Sequence, residues 1–408
     1  MKNLLKPFSS KVFSHLYLAQ AISLLGDAFT WVGVALLAFQ FGGNDSAKIL
    51  AIALTLRVTA FIVFSPYAGV IADRINRKQI LVITHFSRMM VVGLLFFVTE
   101  IWQLYSLIFL LNMLNAFFTP AYKASIPNSL KSKEDYGNAI VISNTTWQLL
   151  GMLGPGLAGA VAGFMGAREI FFFDACSFIL AALIILTIPA IALSVNQTEI
   201  VKKQVSNSWK EIVTGTELLF RNSSIRFALI IEFITAIASA NILVNTVGLI
   251  KGTLKLTDTH YGWIMTAFGV GATIAALTSN TFDRSKNKRF ILIAGPALIG
   301  GSILTANFVS FPILLGFWVV AGIGQSYTYM PSQILIAENI ELSEHGKAYG
   351  AHFAWSHLWF AITYPLAGLT GIYFANESYL IAGASTLLLL FVLLIYQFLI
   401  VEKNSEKI

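Results

Sequence analysis

Asp27, Arg57, Glu232, His352 and His357 stand inside long apolar runs, where an ionisable group has little reason to be. At the centre of a bilayer a charge costs about 2.5–3.5 kcal/mol on insertion scales, so each requires a partner or a task. Asp27 lies about 20 Å into the first run and Arg57 about 17 Å from the far end of the second, at about 1.5 Å per helical residue. Successive runs cross in opposite directions and usually neighbour one another, which brings the two to one depth. An Asp27–Arg57 ion pair is therefore expected. It would act either as a static staple or as a switch in which the carboxylate exchanges the guanidinium for a proton. Glu232, with Asn241 and Asn245 further along its run, offers a second acid for a proton or a substrate cation. The alternative is a carboxylate that snorkels to the membrane rim.

The run around His352 collects Tyr349, His352, Trp355, His357, Trp359 and Tyr364, with His345 just ahead. His352 and Trp355 share one helical face. His352 and His357 project about 140° apart and would need a third group to hold one ligand. Imidazoles suit nickel, cobalt, zinc or copper, relay protons, or pack as hydrogen-bonded core groups, and all three roles stay open here. Arg88 and Asp174, in two further runs, read as packing or interface charges.

Holding these groups takes a bundle of membrane helices. A soluble chain carries about 25% charged residues; this one of 408 residues has 12%, against 56% hydrophobic, and a mean hydropathy of +0.74. Runs of about 20 mostly apolar residues, the length of a transmembrane helix, lie near 14–40, 47–68, 79–99, 103–122, 139–165, 169–193, 225–250, 260–281, 290–308, 311–333, 348–374 and 378–401. The expected fold is an all-α membrane protein of twelve spans. The basic N-terminal segment leads into a stretch too long for a signal-peptide core, so it reads as a retained first helix. The single cysteine, Cys176, excludes an intramolecular disulfide.

Charge sets the orientation. Apart from Arg57 and Arg88, 21 Lys and Arg residues fall on one set of loops, tails and run ends, while the other side has only Lys48, Arg168, Lys251 and Lys255. Both termini are expected in the cytoplasm, and the net charge of +7 reflects topology rather than nucleic-acid binding. Residues 194–224 form the longest polar segment, with Trp209, Ile212, Val213, Leu218, Leu219 and Phe220 patterned as an amphipathic surface helix. It separates bundles at 1–193 and 225–408. Landmarks recur at offsets of 209 to 211 residues: Asp73-Arg74 with Asp283-Arg284, Pro120 with Pro331, Pro155 with Pro365, and Gly137 with Gly346. Two parallel six-helix repeats account for that period.

The turn Gly69-Val70-Ile71-Ala72-Asp73-Arg74-Ile75-Asn76-Arg77-Lys78 resembles the loop between the second and third helices of major facilitator superfamily transporters. There Asn76 replaces a Gly, and Asn tolerates the left-handed backbone best among non-Gly residues, so the turn is expected to persist. The resemblance implies a conformational latch made of Gly69, Asp73, Arg74, Arg77 and Lys78, repeated at Asp283 and Arg284. Asp73 would face the bundle while Arg74, Arg77 and Lys78 stay in cytoplasmic water. Gly151, Gly154, Pro155, Gly156, Gly159 and Gly163 resemble the Gly-Pro element in the fifth helix of the superfamily's exporters, although Ala158 stands where that element has a Gly. Phe118 to Pro127, Gly137-Asn138-Ala139 and Leu25-Gly26-Asp27 resemble the macrolide-efflux and siderophore-exporter branch. Ala351 to Trp359 is similar to the matching helix of nickel exporters, which often carry a His-rich tail that this chain lacks.

These resemblances imply a proton-coupled exporter of a small amphipathic molecule in the plasma membrane (the bacterial inner membrane), working by rocker-switch alternating access. Asp27, Arg57, Glu232, Asn241, Asn245, His352, Trp355 and His357 are the candidate coupling or substrate residues. A nickel or cobalt exporter using His352 and His357, and a lysolipid flippase on the same fold, are the alternatives. The chain has neither a Gly-x-x-x-x-Gly-Lys-Ser/Thr phosphate loop nor a Gly-x-Ser-x-Gly or His-Glu-x-x-His motif, so neither ATP use nor an enzyme is expected. The expected partners are a small-molecule or cation substrate, protons and membrane lipid, with no nucleic acid and no cofactor, acting on a monomer.

Overall fold

The computed structural model describes residues 5–130, 132–193, 208–283, 288–341 and 344–405. Among them are thirteen α-helices and no strand. The first six are α1 (Lys11–Gly42), α2 (Ser46–Arg74), α3 (Arg77–Leu95), α4 (Ile101–Asn128), α5 (Lys133–Met165) and α6 (Ile170–Leu186). The short α7 (Ser208–Arg221) follows. Then come α8 (Ser223–Val247), α9 (Asp258–Asp283), α10 (Lys288–Ile303), α11 (Phe311–Asn339), α12 (His345–Tyr373) and α13 (Ser378–Ser405). All but α7 overlap an apolar run. Eight stretches of the described chain are long and apolar enough to cross a membrane, one of them (Lys11–Ser65) covering α1 and much of α2 together.

Local chemistry sets the helix ends. The Ser10 hydroxyl accepts from the Phe13 amide at 3.3 Å, and the Asn222 side chain accepts from the amides of Ser224 and Ile225 at 2.9 and 3.1 Å. Each cap satisfies amides that a helix start leaves open. Gly43 (φ 51°) and Gly166 (φ 113°) end α1 and α5 in backbone that side chains disfavour. The turn between α2 and α3 differs from expectation. Asn76 sits at φ −55° and ψ 118°, not in the left-handed region, and serves as the N-cap of α3. Its side chain accepts from the Lys78 amide at 2.9 Å and donates to the Ala190 carbonyl at 3.3 Å. Asn suits the position for its capping oxygen rather than for backbone freedom.

The chain divides into two compact units, Met1–Glu211 with Leu256–Thr266, and Ile212–Lys255 with Ala267–Ile408. In the first, α1 packs on α5 and α6 and less on α2, while α3 packs on α4 and α6. In the second, α8 packs on α12 and α13, and α10 on α11 and α13. Helices at matching places in the two halves thus keep matching neighbours, which gives the recurrent Pro and Gly landmarks a structural meaning. On α13, Leu388, Phe391, Val392 and Ile395 form an exposed stripe at helical spacing. Such a stripe suits hydrocarbon, where helices satisfy their own backbone and present apolar side chains outward.

Candidate functional site

In the first unit the intramembrane charges gather around α1. Asp174 of α6 is fully buried and accepts from the Thr30 hydroxyl at 2.5 Å and the Ser177 hydroxyl at 3.0 Å. Gly26 admits this arrangement, because a Cβ there would collide with Ser177 and with the Asp174 carboxylate. Arg88 of α3 is buried, donates to Asn115 at 2.7 Å and to Nδ1 of His85 at 2.9 Å, and lies between the rings of Phe118 (4.2 Å) and Phe178 (4.5 Å). Its charge acts on both Asp27 and Asp174. Asp27, next to Gly26, stays half-buried, so it is the accessible acid of the group.

Two expectations change here. Asp27 and Arg57 form no ion pair among the described residues; Arg57 instead stacks over the Trp31 ring at 4.4 Å. Arg88 and Asp174, read as packing or interface charges, are both buried in this cluster, which removes the interface alternative. His85 belongs to it too, and sequence reasoning missed it; its spacing of three from Arg88 on one helical face was the available signal.

In the second unit Glu232 of α8 is wholly buried, which removes the snorkelling alternative. Its Oε1 lies 2.8 Å from Nε2 of His352, and its Oε2 accepts from Ser356 at 3.3 Å. Nδ1 of His352 lies 3.1 Å from the Gln333 amide nitrogen. His357 turns away: its Nδ1 is 2.8 Å from the Phe353 carbonyl and its ring lies against Phe353. The two imidazoles are therefore not brought to one ligand. Among the described residues no group of three or more His, Cys, Asp or Glu side chains is placed to hold a metal ion. Trp355 also departs from His352, donating to Thr216 at 3.2 Å and packing on Phe220, which seats α7 on α12. Asn245 donates to Asn241 at 2.7 Å and to the Ala367 carbonyl at 3.0 Å, tying α8 to α12.

The basic turn is less wet than expected. Arg74 is exposed, but Arg77 is buried and donates to the Ala124 carbonyl at 2.9 Å, while Lys78 donates to the Leu186 carbonyl at 2.8 Å. Both cations sit at or near C-terminal helix ends, whose free carbonyls and dipole favour positive charge. Gly69 has open space where a side chain would go. The Asp73 and Asp283 side chains and the whole of Arg284 lie outside the described residues. On α5, which carries Pro155 within the helix, Gly154 faces Ala28 and Gly156 faces Thr266. Gly159 meets the backbone of Gly262, and Gly163 meets Thr259; Gly151 faces nothing within 4 Å.

Residues 3–341 match the family model described as transmembrane secretion effector. The chain belongs to the transmembrane secretion effector family. This family member is 26% identical over 348 residues to the MFS-type transporter YfiS of Bacillus subtilis, covering 82% of this chain and 80% of YfiS. It is 27% identical over 286 residues to the multi-drug resistance efflux pump PmrA of Streptococcus pneumoniae, covering 68% and 67% of the two chains. Macrolide efflux protein A of Streptococcus pyogenes is 23% identical over 307 residues, 72% of each. Among solved structures, the nucleoside transporter NupG superposes with a TM-score of 0.72 at 18% identity, over 93% of this chain and 98% of NupG. A POT-family peptide transporter gives 0.72 at 12% identity, over 94% and 96%. The secretion effector has the all-helical major facilitator fold and is an integral membrane transporter.

Proposed function

We propose that this transporter is a proton-coupled exporter of small amphipathic organic molecules. It works by alternating access as two six-helix halves rock, with both termini in the cytoplasm. The export direction draws on the efflux pumps among its relatives, and the orientation draws on the one-sided distribution of Lys and Arg.

The observation that carries the coupling is the cluster around Asp27. Asp27 and Asp174 put two carboxylates into a bundle whose fully buried cation is Arg88, while Arg57 stacks on Trp31. A surplus negative charge at membrane depth is costly, and either a proton on Asp27 or an approach by Arg57 would cancel it. Those two ways of balancing one carboxylate give two states that exchange when a proton binds or leaves. The turn residues Gly69, Asp73, Arg74, Arg77 and Lys78, with Asp283 and Arg284, serve as the latch between states.

The test is substrate uptake into inverted vesicles under an imposed proton gradient, screening dyes, macrolides, nickel, cobalt and lysolipids. Uptake of an organic compound that collapses with the gradient, and that becomes gradient-independent in Asp27→Asn, is the expected result. Proton-driven transport by Asp27→Asn would remove Asp27 from the coupling step. A nickel response abolished by His352→Ala would favour the metal reading, which the separation of His352 from His357 makes less apt.

A further inference from the structure

Basic side chains gather at one corner of the second unit, where α8 and α10 begin. Asn222, the cap of α8, donates to the Asn339 side chain at 3.2 Å, so the junction of α7 and α8 lies against the end of α11. Beside Asn339, Glu338 is ion-paired with Lys288 at the start of α10. The next residue, Arg289, sets its guanidinium 5.2 Å from the centre of the Phe227 ring on α8. Arg226, adjacent to Phe227 in the chain, donates to the Phe220 carbonyl at 3.2 Å, and Arg221 follows Phe220. Arg221, Arg226 and Arg289 are all exposed. Among the described residues no carboxylate pairs with any of the three, whereas Lys288 is already neutralised by Glu338.

The corner stands at the mouth of two apolar stretches. Ser223–Thr253 and Lys288–Phe308 are each long and apolar enough to cross a membrane, so their first turns belong at headgroup depth. Beyond the cations the surface turns apolar: Ile230, one helical turn on from Arg226, and Phe290, next to Arg289, are both exposed. A guanidinium carries five N–H donors in a fork that matches phosphate oxygens, and one carbonyl or one ring uses only part of it. The fitting ligand therefore has a phosphate at the rim and hydrocarbon beneath. We propose that this corner binds an anionic phospholipid, a singly charged phosphodiester of the phosphatidylglycerol type. Its phosphate lies on Arg226 and Arg289, with Arg221 adding to the field, and its acyl chains run along Phe290 and Ile230. The lipid then fastens the start of α10 to the start of α8. This inference goes beyond the exporter reading and does not depend on it.

The experiment is equilibrium binding of short-chain phosphatidylglycerol to purified full-length protein in neutral detergent, with phosphatidylcholine and inorganic phosphate as comparison probes. The native protein is expected to bind phosphatidylglycerol about tenfold or more tightly than phosphatidylcholine, and inorganic phosphate far more weakly than either lipid. Arg226→Gln and Arg289→Gln should each weaken phosphatidylglycerol binding about fivefold, which is about 1 kcal/mol per basic residue near an anionic headgroup. Arg226→Lys and Arg289→Lys keep the charge and should lose less, which separates recognition of the phosphate from loss of fold. Lys48→Gln, which removes an exposed cation of the first unit, should leave the affinity unchanged. Equal affinity for the two lipids, an equal loss in Lys48→Gln, or inorganic phosphate bound as tightly as phosphatidylglycerol would overturn the proposal; the last would mark a site for a free anion. No transport is measured, so failure of proton-coupled export in vesicles leaves this result standing, and the reverse also holds.

Discussion

The Asp174 carboxylate occupies the space where a side chain on Gly26 would begin, so α1 and α6 can share the buried charge cluster only if residue 26 lacks a Cβ. The glycine is a steric requirement here, since the helix around it is regular. Gly26→Ala forces Asp174 and Ser177 aside, and overpacking of this kind costs about 1–3 kcal/mol. The expected outcome is a lower melting temperature in detergent together with loss of transport. Gly93→Ala, which meets nothing within 4 Å, provides the contrast and should melt no lower than the native protein.

Arg88 is the one fully buried guanidinium among the described residues of this cluster, and it is held by Asn115, His85 and two phenyl rings. Removing one member of a buried charge set leaves the others uncompensated, at about 3–5 kcal/mol. Arg88→Leu should therefore fold poorly. Combining it with Asp174→Asn restores the balance of charge, and the double variant should recover part of the lost stability. A thermal-melt cycle of the two single variants and the double measures this directly; additivity would show that Arg88 and Asp174 do not act as one unit.

Much of this architecture was legible in the sequence, and the partnerships were not. The apolar runs marked the helices because a membrane span must be long and nonpolar whatever it packs against. The charges at Asp27, Glu232 and His352 stood out for the same reason. Their partners depend on which helices touch, and there the rule that consecutive helices neighbour one another misled. α1 packs more on α6 and α5 than on α2: Gly26 abuts Asp174 of α6, while Arg57 of α2 meets α1 at Trp31 rather than at Asp27. Glu232 and His352 are 120 residues apart, and no local pattern announces a contact across that separation. The basic turn misled in another way. Charge predicted water for Arg77 and Lys78, but carbonyls at neighbouring helix ends took their donors instead.

That last correction separates two arginines three residues apart. Arg77 is buried on the Ala124 carbonyl, whereas Arg74 is exposed. A hydrogen bond from a charged donor is worth about 1.5–3 kcal/mol, so Arg77→Ala should lower the melting temperature by several degrees. Arg74→Ala should leave stability unchanged within about 0.5 kcal/mol, as exposed substitutions do. If both belong to a latch, both should still slow transport. Equal melting temperatures for the two variants would contradict the buried role of Arg77.

The glycines of α5 divide in the same manner. Gly159 and Gly262 bring two helix backbones together with no room for a methyl group, while Gly151 faces open space. Small residues allow this close approach in membranes, where packing and not the hydrophobic effect holds helices together. Gly159→Ala must push α5 off the Gly262 segment and is expected to abolish transport with intact insertion, scored by surface labelling of a tagged protein. Gly151→Ala adds a methyl group to empty space and raises helix propensity by about 1 kcal/mol, so on packing alone it should be neutral or stabilising. A transport defect in Gly151→Ala with a normal melting temperature would show that Gly151 is needed for movement of the helix and not for its packing. That result would strengthen the likeness of α5 to the exporters' Gly-Pro element at the one glycine whose presence contacts do not explain.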